Sequence, residues 1–481
     1  MPYSSTDITL TPSQQAALER LLDFLKTDGT GAFIMTGFAG TGKTSLVRIL
    51  ADRMAQSGRY IFSFHASTGR AAKVLHDISG NPASTVHSLI YTFKGINQDV
   101  DTLFKTDSDG NAVKIEADGQ LVLNFGLATL DNNTQEKAYI IDEASMISNH
   151  FESNSTQATF GSGKLLEDLF NYDRSGKFIF IGDRYQLPPI GEDFSPALSE
   201  QFISSTFNIR TASANLTDIV RQSADNDLIL AANTIRLMHD NPPPYTWVKF
   251  PIKRYEHILI HPSVPDMLQD YVKHIKECGY SSCIMISNSN RRCKILSQTV
   301  RTALGFNKHT LCIGDLLLVV QNNQNGLLNG NLVKVTQIGA RTERAELTFL
   351  NIEVEETFSK ERHTTLLIEN ILFSQYLNLT QEQYKRLFID FHIRMKEKGI
   401  KQNSDTYIKA MREDSYLNAL RTTFGYVVTC HKAQGGEWED VYLDIGRAIS
   451  HCPSKSDYQW LYTALTRAKE HIHLANDFYL M

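Results

Sequence analysis

The most regular feature of the chain is an alternation of short apolar runs with segments of helical periodicity. Apolar runs at residues 33–35, 60–64, 138–141 and 177–181 have the length of buried strands. A helix is predicted upstream of the first run, because Thr11 and Pro12 form a start signal and four leucines between positions 18 and 25 share one face. Strands that alternate with helices predict an α/β protein with a parallel sheet.

A second α/β section follows in the other half of the chain. Residues 282–288 have the pattern of a strand and residues 291–304 that of a helix. The pattern resumes at residues 427–438 and ends with a helix at 460–469 and a strand at 471–474. The residues themselves do not reveal whether the two sections are duplicated folds.

Two stretches interrupt this alternation. Between residues 92 and 137 the chain is polar, and residues 112–116 and 121–125 predict a β-hairpin around a turn that contains glycine. Residues 315–420 predict a small β-barrel-like insertion, followed by a charged helical arm at about 380–416. The hairpin is either a decoration of its domain or a working part, and the sequence leaves both open.

Composition narrows the class of protein. With 481 residues, 42% hydrophobic and 21% charged, the chain predicts a soluble globular protein of two or more domains. A net charge of −5 excludes a histone-like basic protein, so a nucleic-acid partner would be held in a local groove. Six cysteines without a C-x-x-C pair, no leader pattern and no apolar run of membrane length predict a cytoplasmic protein without a membrane partner.

The strongest chemical signal is a phosphate-binding loop. Residues 37–44 fit the pattern G-x-x-x-x-G-K-[ST], between a predicted strand and a predicted helix. Glycines let successive backbone N–H groups point at phosphate oxygens, and the helix adds the positive end of its dipole. Lys43 is predicted to reach the β- and γ-phosphates, and the Thr44 hydroxyl is predicted to bind Mg²⁺.

Polar residues that follow the other predicted strands complete this site. Asp142 is predicted to hold Mg²⁺, and Glu143 to orient or deprotonate the attacking water. Gln186 follows the strand at 177–181 and is a candidate sensor of the terminal phosphate, because ligands gather at the carboxyl ends of parallel strands. Gln14 has an amide suited to adenine, although a solvated helix residue is the commoner role at such a position.

Seven segments in order resemble the motif series of superfamily-one helicases, with the RecD/Dda branch as the closest match. They are residues 37–45, 67–75, 140–146, 181–189, 216–222, 427–435 and 462–469. The resemblance implies two RecA-like parallel-sheet domains, with a β-hairpin insertion in the first and an SH3-like β-barrel insertion with a helical arm in the second. The implied domains are 1–212, with its insertion at about 92–137, then 213–314 together with 421–481, and the inserted 315–420.

The same resemblance assigns roles residue by residue. The implied catalytic residues are Lys43, Glu143, Gln186 and two arginine fingers, Arg221 and Arg467. The implied contacts to ATP are Gln14, Gly37, Gly40, Thr41, Gly42, Lys43, Thr44, Ser45 and Gln434, with Thr44 and Asp142 on Mg²⁺. The implied contacts to DNA are Ser67, Thr68, His87, Asn288, Thr429 and His431.

The resemblance implies an ATP-dependent DNA helicase that moves five-prime to three-prime on single-stranded DNA and unwinds duplex or forked DNA. Partners such as a single-strand-binding protein or replication and recombination proteins, in a bacterial or phage-like setting, belong to the same expectation. Two alternatives stay open: an ATP-dependent clamp or loading factor that binds single strands without processive unwinding, and an RNA-directed helicase.

Overall fold

The computed structural model of the protein describes residues 10–55, 59–97, 99–106, 112–115, 121–130, 135–151, 158–219, 227–323 and 326–481. The α-helices among them are α1 (Pro12–Leu25), α2 (Lys43–Ala55), α3 (Gly69–Ser79), α4 (Val86–Ile90), α5 (Leu165–Tyr172), α6 (Glu200–Phe207), α7 (Leu228–Asp240), α8 (Val264–Cys278), α9 (Asn290–Ala303), α10 (Glu369–Phe373), α11 (Gln381–Glu397), α12 (Asp405–Glu413), α13 (Cys430–Ala433) and α14 (Lys455–Leu465).

The strands in the described ranges are β1 (Gly31–Gly37), β2 (Tyr60–Ala66), β3 (Ala83–Thr85), β4 (Tyr91–Ile96), β5 (Phe104–Thr106), β6 (Ala112–Ile115), β7 (Leu123–Leu127), β8 (Glu136–Asp142), β9 (Ala158–Phe160), β10 (Lys177–Gly182), β11 (Arg210–Leu216), β12 (Ile258–His261), β13 (Cys283–Ser287), β14 (Leu316–Val319), β15 (Leu332–Arg344), β16 (Leu347–Glu356), β17 (Arg362–Ile368), β18 (Thr422–Phe424), β19 (Val427–Thr429), β20 (Trp438–Asp444) and β21 (Ala468–Ala475). Short 3-10 turns lie at Val100–Leu103, Ala144–Met146, Pro196–Leu198 and Arg447–Ser450.

The first lobe is built on a six-stranded parallel sheet in the order β11-β1-β10-β8-β2-β3. Strands β1 and β10 are buried along their whole length, because helices cover both faces of the sheet. Successive side chains of a strand face opposite sides, so Phe33 packs with Leu18 and Leu50 while Ile34 packs with Leu169 in a separate core.

The second lobe is built on a five-stranded parallel sheet in the order β12-β21-β20-β13-β19. Its core includes the fully buried aromatic side chains of Tyr271, Trp438 and Tyr442. These two parallel sheets confirm the predicted fold class of two RecA-like domains. Across the described ranges, no helix has both the length and the apolar character needed to cross a bilayer.

The insertion in the second lobe is an antiparallel sheet in the order β17-β16-β15-β14-β18. A bridge between Leu367 of β17 and Leu420, just before β18, joins the two ends of this order. The sheet therefore closes on itself as a small barrel, and α11 and α12 form the helical arm. The predicted boundary at 420/421 is wrong, because β18 still belongs to the barrel.

The boundary predicted between the two lobes also differs from the structure. The predicted boundary at 212/213 falls inside β11, which pairs with β1 along residues 210–216. The first lobe therefore extends to Leu216 at least. Local periodicity gives no sign of this, because a strand at the end of a domain resembles one at the start of the next.

The hairpin in the first lobe exists, but its strands are not the predicted ones. Residues 112–116 and 121–125 were expected to pair with each other; instead β6 pairs with β5, and β7 pairs with β4 and β9. The turn predicted between them, residues 117–120, lies outside the described residues. Alternating patterns predict strands but not their partners. Here each predicted strand pairs with a segment that precedes it in the chain, β6 with β5 and β7 with β4.

The two insertions share one hydrophobic core. Val100 and Phe104 of the first lobe's insertion belong to the same cluster of buried residues as Phe388 and Tyr407 of the helical arm. Polar contacts flank this core: Lys396 binds the Asp101 carboxylate at 2.8 Å, and Val100 N donates to the Gln402 side chain at 3.0 Å. The lobes therefore touch through their insertions as well as at the cleft between the sheets.

Candidate nucleotide site and nucleic-acid face

The phosphate loop lies between β1 and α2, as predicted. Gly40 and Gly42 have φ angles of 82° and 74°, in the left-handed region that favours glycine. A Cβ on Gly37 would lie 2.5 Å from the Thr41 hydroxyl oxygen, so this position also requires glycine. Lys43 Nζ donates to the backbone carbonyls of Gly37 at 2.8 Å and Phe38 at 3.1 Å, so its ammonium group lies against the loop.

The acidic pair lies at the carboxyl end of β8, beside this loop. Burial, with added repulsion from Glu143, raises the pKa of Asp142 to about 7. Glu143 has a φ of 49°, and its backbone N–H donates to Asp142 Oδ1 at 2.9 Å. A left-handed glutamate is strained, and such strain is concentrated at functional sites. The side chains of Thr44 and Ser45 lie outside the described part of the structure.

Gln186 joins the two lobes at the acidic pair. In the amide orientation that satisfies both neighbours, its nitrogen donates to Glu143 Oε2 at 3.2 Å and its oxygen accepts from Arg467 Nη2 at 3.2 Å. The Arg467 guanidinium is buried and also donates to the carbonyls of Thr463 and Gly436, at 3.1 and 3.3 Å. Glu143 and Arg467 are therefore connected through one side chain.

Helix α14 supplies further contacts across the cleft. The Tyr462 hydroxyl donates to Asp183 Oδ2 at 2.7 Å and accepts from the N–H of Ala39, in the phosphate loop, at 2.8 Å. The Thr463 hydroxyl accepts from the backbone N–H of Leu187 at 3.0 Å. The phosphate loop and the residues after β10 are thus bonded directly to the second lobe.

These groups surround a cavity of about 830 Å³ between the lobes, within the size range of small-molecule sites. Residues of the phosphate loop, Asp142, Glu143, Gln186 and Arg467 line it. Gln434 is buried beside it, next to Gly435, and donates to the Leu187 carbonyl at 3.4 Å. The cavity can hold a nucleotide with its phosphates between Lys43 and Arg467.

Arg70 is a cavity residue that the sequence reasoning missed. It extends from α3 of the first lobe and stacks on Trp438 of the second lobe at 4.7 Å and on Phe358 of the barrel at 4.8 Å. Burial, assisted by the nearby charge of Arg467, lowers the pKa of Arg70 to about 10. Its place in the 67–75 motif was visible, but both aromatic partners lie far along the chain.

Gln14 and Arg221 were both predicted to lie at the nucleotide site. Gln14 is buried, and its amide makes two hydrogen bonds: the oxygen accepts from Thr11 N at 3.0 Å and the nitrogen donates to the Thr41 carbonyl at 3.0 Å. Its contact to adenine stays a prediction. Arg221 lies outside the described residues, so its role as an arginine finger also stays a prediction.

The predicted DNA contacts all lie at the carboxyl ends of strands. Ser67 and Thr68 follow β2, and His87 follows β3. Asn288 follows β13, while Thr429 ends β19 and precedes His431. Because β2 neighbours β3 and β13 neighbours β19, each lobe presents one pair of adjacent strand ends.

The side chains at these strand ends differ in how they are held. The Thr68 hydroxyl accepts from Ala71 N as the cap of α3, and the Ser67 hydroxyl is buried without a hydrogen-bond partner among the described residues. His87 lies against the rings of Tyr91 and Phe160, at 5.7 Å from each. Burial lowers the pKa of the half-buried His431, so its ring favours the neutral form, whereas the His87 side chain is exposed.

Family models match the first lobe and the last part of the second lobe. A model described as an AAA domain matches residues 9–242, and one described as a UvrD-like helicase C-terminal domain matches residues 424–475. The phosphate loop lies in the first match and Arg467 in the second, so the chain combines an AAA domain with a UvrD-like helicase C-terminal domain, as ATP-hydrolysing superfamily-one helicases do.

Individual relatives are distant. The uncharacterized protein R530 of Acanthamoeba polyphaga mimivirus is 21% identical, over 95% of this chain and 98% of its own length. The ATP-dependent RecD2 DNA helicase of Deinococcus radiodurans is 26% identical over 49% of this chain, and the match spans 25% of that protein. A structure of Bacteroides Pif1 bound to ssDNA is 17% identical, covers 99% of this chain and 95% of that one, and has a TM-score of 0.48.

Proposed function

We propose that this protein is a DNA-stimulated ATPase that moves five-prime to three-prime on single-stranded DNA and unwinds duplex DNA. The observation that carries the proposal is the connection of Glu143 to Arg467 through Gln186, across the cleft that contains the phosphate loop. The polarity rests on the resemblance to the RecD/Dda motif series, and the RecD2 relative is itself an ATP-dependent DNA helicase.

In the hydrolysis step, the oxygen of a water molecule attacks the γ-phosphorus of ATP, and the bond from that phosphorus to the β–γ bridging oxygen breaks. Glu143 accepts the proton of the water, while ADP leaves with the electron pair of the broken bond. Gln186 is placed to orient this water, because it already donates to Glu143 Oε2. Lys43 and Arg467 stabilise the charge that spreads over the transferred phosphoryl group.

The residues fit a Mg²⁺ ion beside the phosphates. Asp142 is half-buried at the cavity wall next to a second carboxylate, and its raised pKa reflects a negative charge that lacks sufficient compensation. Carboxylate oxygens are the ligands that this cation prefers, and bound nucleotide phosphates normally supply others. When bound, the ion would neutralise phosphate charge, with Asp142 and the Thr44 hydroxyl as the protein groups that hold it.

The strand ends of both lobes form the proposed path for the DNA strand. Hydroxyl, amide and imidazole groups contact a nucleic-acid backbone without reading its sequence, which suits a motor that moves over any sequence. Arg467 completes the ATP site only while the lobes are together. ATP binding and hydrolysis would therefore shorten and lengthen in turn the distance between the two pairs of strand ends, and so move the DNA strand.

A strand-displacement assay tests the proposal. Forked duplexes that carry only a five-prime tail, only a three-prime tail, or both are mixed with the protein, ATP and Mg²⁺, and ATPase activity is measured with DNA and with RNA. We expect unwinding from the five-prime tail and stimulation by DNA. ATPase activity without unwinding from either tail would favour the clamp, and stimulation by RNA alone would favour an RNA-directed enzyme.

A further inference from the structure

A group of histidines and carboxylates lies at the edge of the second parallel sheet, and none of its three central residues lines the nucleotide cavity. His261 ends the edge strand β12, His473 lies on the adjacent β21, and Asp270 lies on α8. The mechanism proposed above uses none of them.

The three potential ligand atoms form a compact triangle. His261 Nε2 and His473 Nδ1 are 3.0 Å apart, and Asp270 Oδ2 lies 3.9 Å from the first and 3.6 Å from the second. Tetrahedral Zn²⁺, with bonds of about 2.0–2.2 Å, places neighbouring ligand atoms about 3.3–3.6 Å apart. The side chains therefore need to move by only a few tenths of an ångström to hold such an ion.

The surrounding residues orient these ligands. Asp440 Oδ1 accepts from His473 Nε2 at 2.9 Å, which leaves the lone pair of Nδ1 directed at His261 and Asp270. The Tyr442 ring stacks on His473 at 4.0 Å between centroids, and its hydroxyl donates to Asp270 Oδ2 at 2.8 Å. Carboxylates that fix the tautomer of a ligating histidine are typical of metal sites.

The site is also open on one side. A groove of about 930 Å³ along α8 is lined in part by His261 and Asp270, and the Asp270 side chain is 40% exposed. His473 is buried behind them, with 6% of its side chain exposed. An ion can therefore enter from the groove, and a water molecule can take the position that the protein leaves free.

We propose that His261, Asp270 and His473 bind one Zn²⁺ ion, with water as the fourth ligand. Imidazole nitrogens with a single carboxylate select a transition-metal ion of this kind over Mg²⁺ or Ca²⁺. In the metal-free protein, His261 Nε2–H donates to His473 Nδ1. On binding, His261 carries its ring proton on Nδ1, so both ligand nitrogens face the ion. The ion joins β12, β21 and α8, and so holds the edge strand of the sheet in place.

Calorimetric titration of the full chain tests the proposal, after treatment with a chelator and with Mg²⁺ present. We expect one equivalent of Zn²⁺ to bind and the thermal unfolding midpoint to rise with Zn²⁺ concentration. Co²⁺ as a probe should give the intense visible absorption of tetrahedral coordination. His261→Gln and Asp270→Asn should each weaken binding by at least about ten-fold and lose that absorption.

A neighbouring set provides the matched control. Asp440, Glu470 and His471 also lie within reach of one another, so His471→Gln should leave binding and the Co²⁺ spectrum unchanged. Loss of binding in His471→Gln would place the ion in that set and overturn the assignment. Wild-type affinity in Asp270→Asn, or no stoichiometric binding to the wild-type chain, would overturn it too. The unfolding midpoint of each variant without metal shows whether that variant still folds. If either His261→Gln or Asp270→Asn does not fold, the other variant tests the assignment.

Discussion

Replacing Arg467 by alanine separates the chemical role of this side chain from its structural one. Its guanidinium bonds to Gln186 across the cleft and to the carbonyls of Thr463 and Gly436 in its own lobe. The first contact is with Gln186, which also donates to the proposed base, Glu143. The other two fix the direction of the side chain.

The two roles differ in expected size. Loss of an arginine that stabilises a transferring phosphoryl group lowers kcat by about 10³–10⁵, which corresponds to about 4–7 kcal/mol. Each buried carbonyl that loses its donor costs about 1–3 kcal/mol of folding stability. The Thr463 carbonyl keeps the Thr466 hydroxyl as a donor, whereas the Gly436 carbonyl loses its donor. Arg467→Ala should therefore lose about 1–3 kcal/mol of stability, which chemical denaturation measures directly.

The assay is steady-state ATP hydrolysis at saturating single-stranded DNA, together with nucleotide affinity measured by a fluorescent analogue. Arg467→Ala should retain nucleotide binding while kcat falls by about a thousand-fold or more. Gln459→Ala is the matched control, since Gln459 donates across the same interface, to the Arg184 carbonyl at 3.2 Å, without lining the cavity. A kcat for Arg467→Ala within ten-fold of wild type would refute the assignment.

Further outcomes are expected for four other variants. Glu143→Gln should bind ATP but not hydrolyse it, as measured in a single-turnover assay. Lys43→Ala should lose nucleotide affinity. Normal ATPase activity in either variant would contradict the role of that residue. The folded state holds the Asp142 proton more tightly than the unfolded chain does, so this group's contribution to stability falls as pH rises from about 4 to about 7. Asp142→Asn should remove this slope and stabilise the nucleotide-free protein at pH 8 in urea unfolding, while it abolishes Mg²⁺-dependent hydrolysis. Tyr462→Phe should destabilise the closed lobes by about 2–3 kcal/mol, because a hydrogen bond to a buried carboxylate is lost; an unchanged unfolding midpoint would show that the contact is weak.

The sequence predicted those parts of the site whose residues are close to one another in the chain. The phosphate loop and the pair Asp142–Glu143 each follow a buried strand, so the residue types, their spacing and the strand end are visible together. The position of Gln186 followed from the same rule about strand ends. Local patterns were sufficient because a parallel sheet brings such ends to one edge.

The contacts that could not be predicted join residues far apart in the chain. Nothing near Arg70 indicates Trp438 or Phe358 as its partners, and nothing near Tyr462 indicates Ala39. The pairing of the inserted strands failed for the same reason, since alternation fixes which residues share a face but not which strand lies beside them. Gln14 lies beside the loop, and its amide bonds depend on neighbours that only the fold supplies.

The core shared by the two insertions constrains how this molecule can move. Val100 and Phe104 belong by sequence to the first lobe, yet their packing partners Phe388 and Tyr407 belong to the second. An element fastened this way travels with its packing partners, and its own connections must flex instead. Each ATP cycle would then rotate the inserted hairpin relative to the sheet from which it emerges, while the hairpin keeps its contacts with the helical arm.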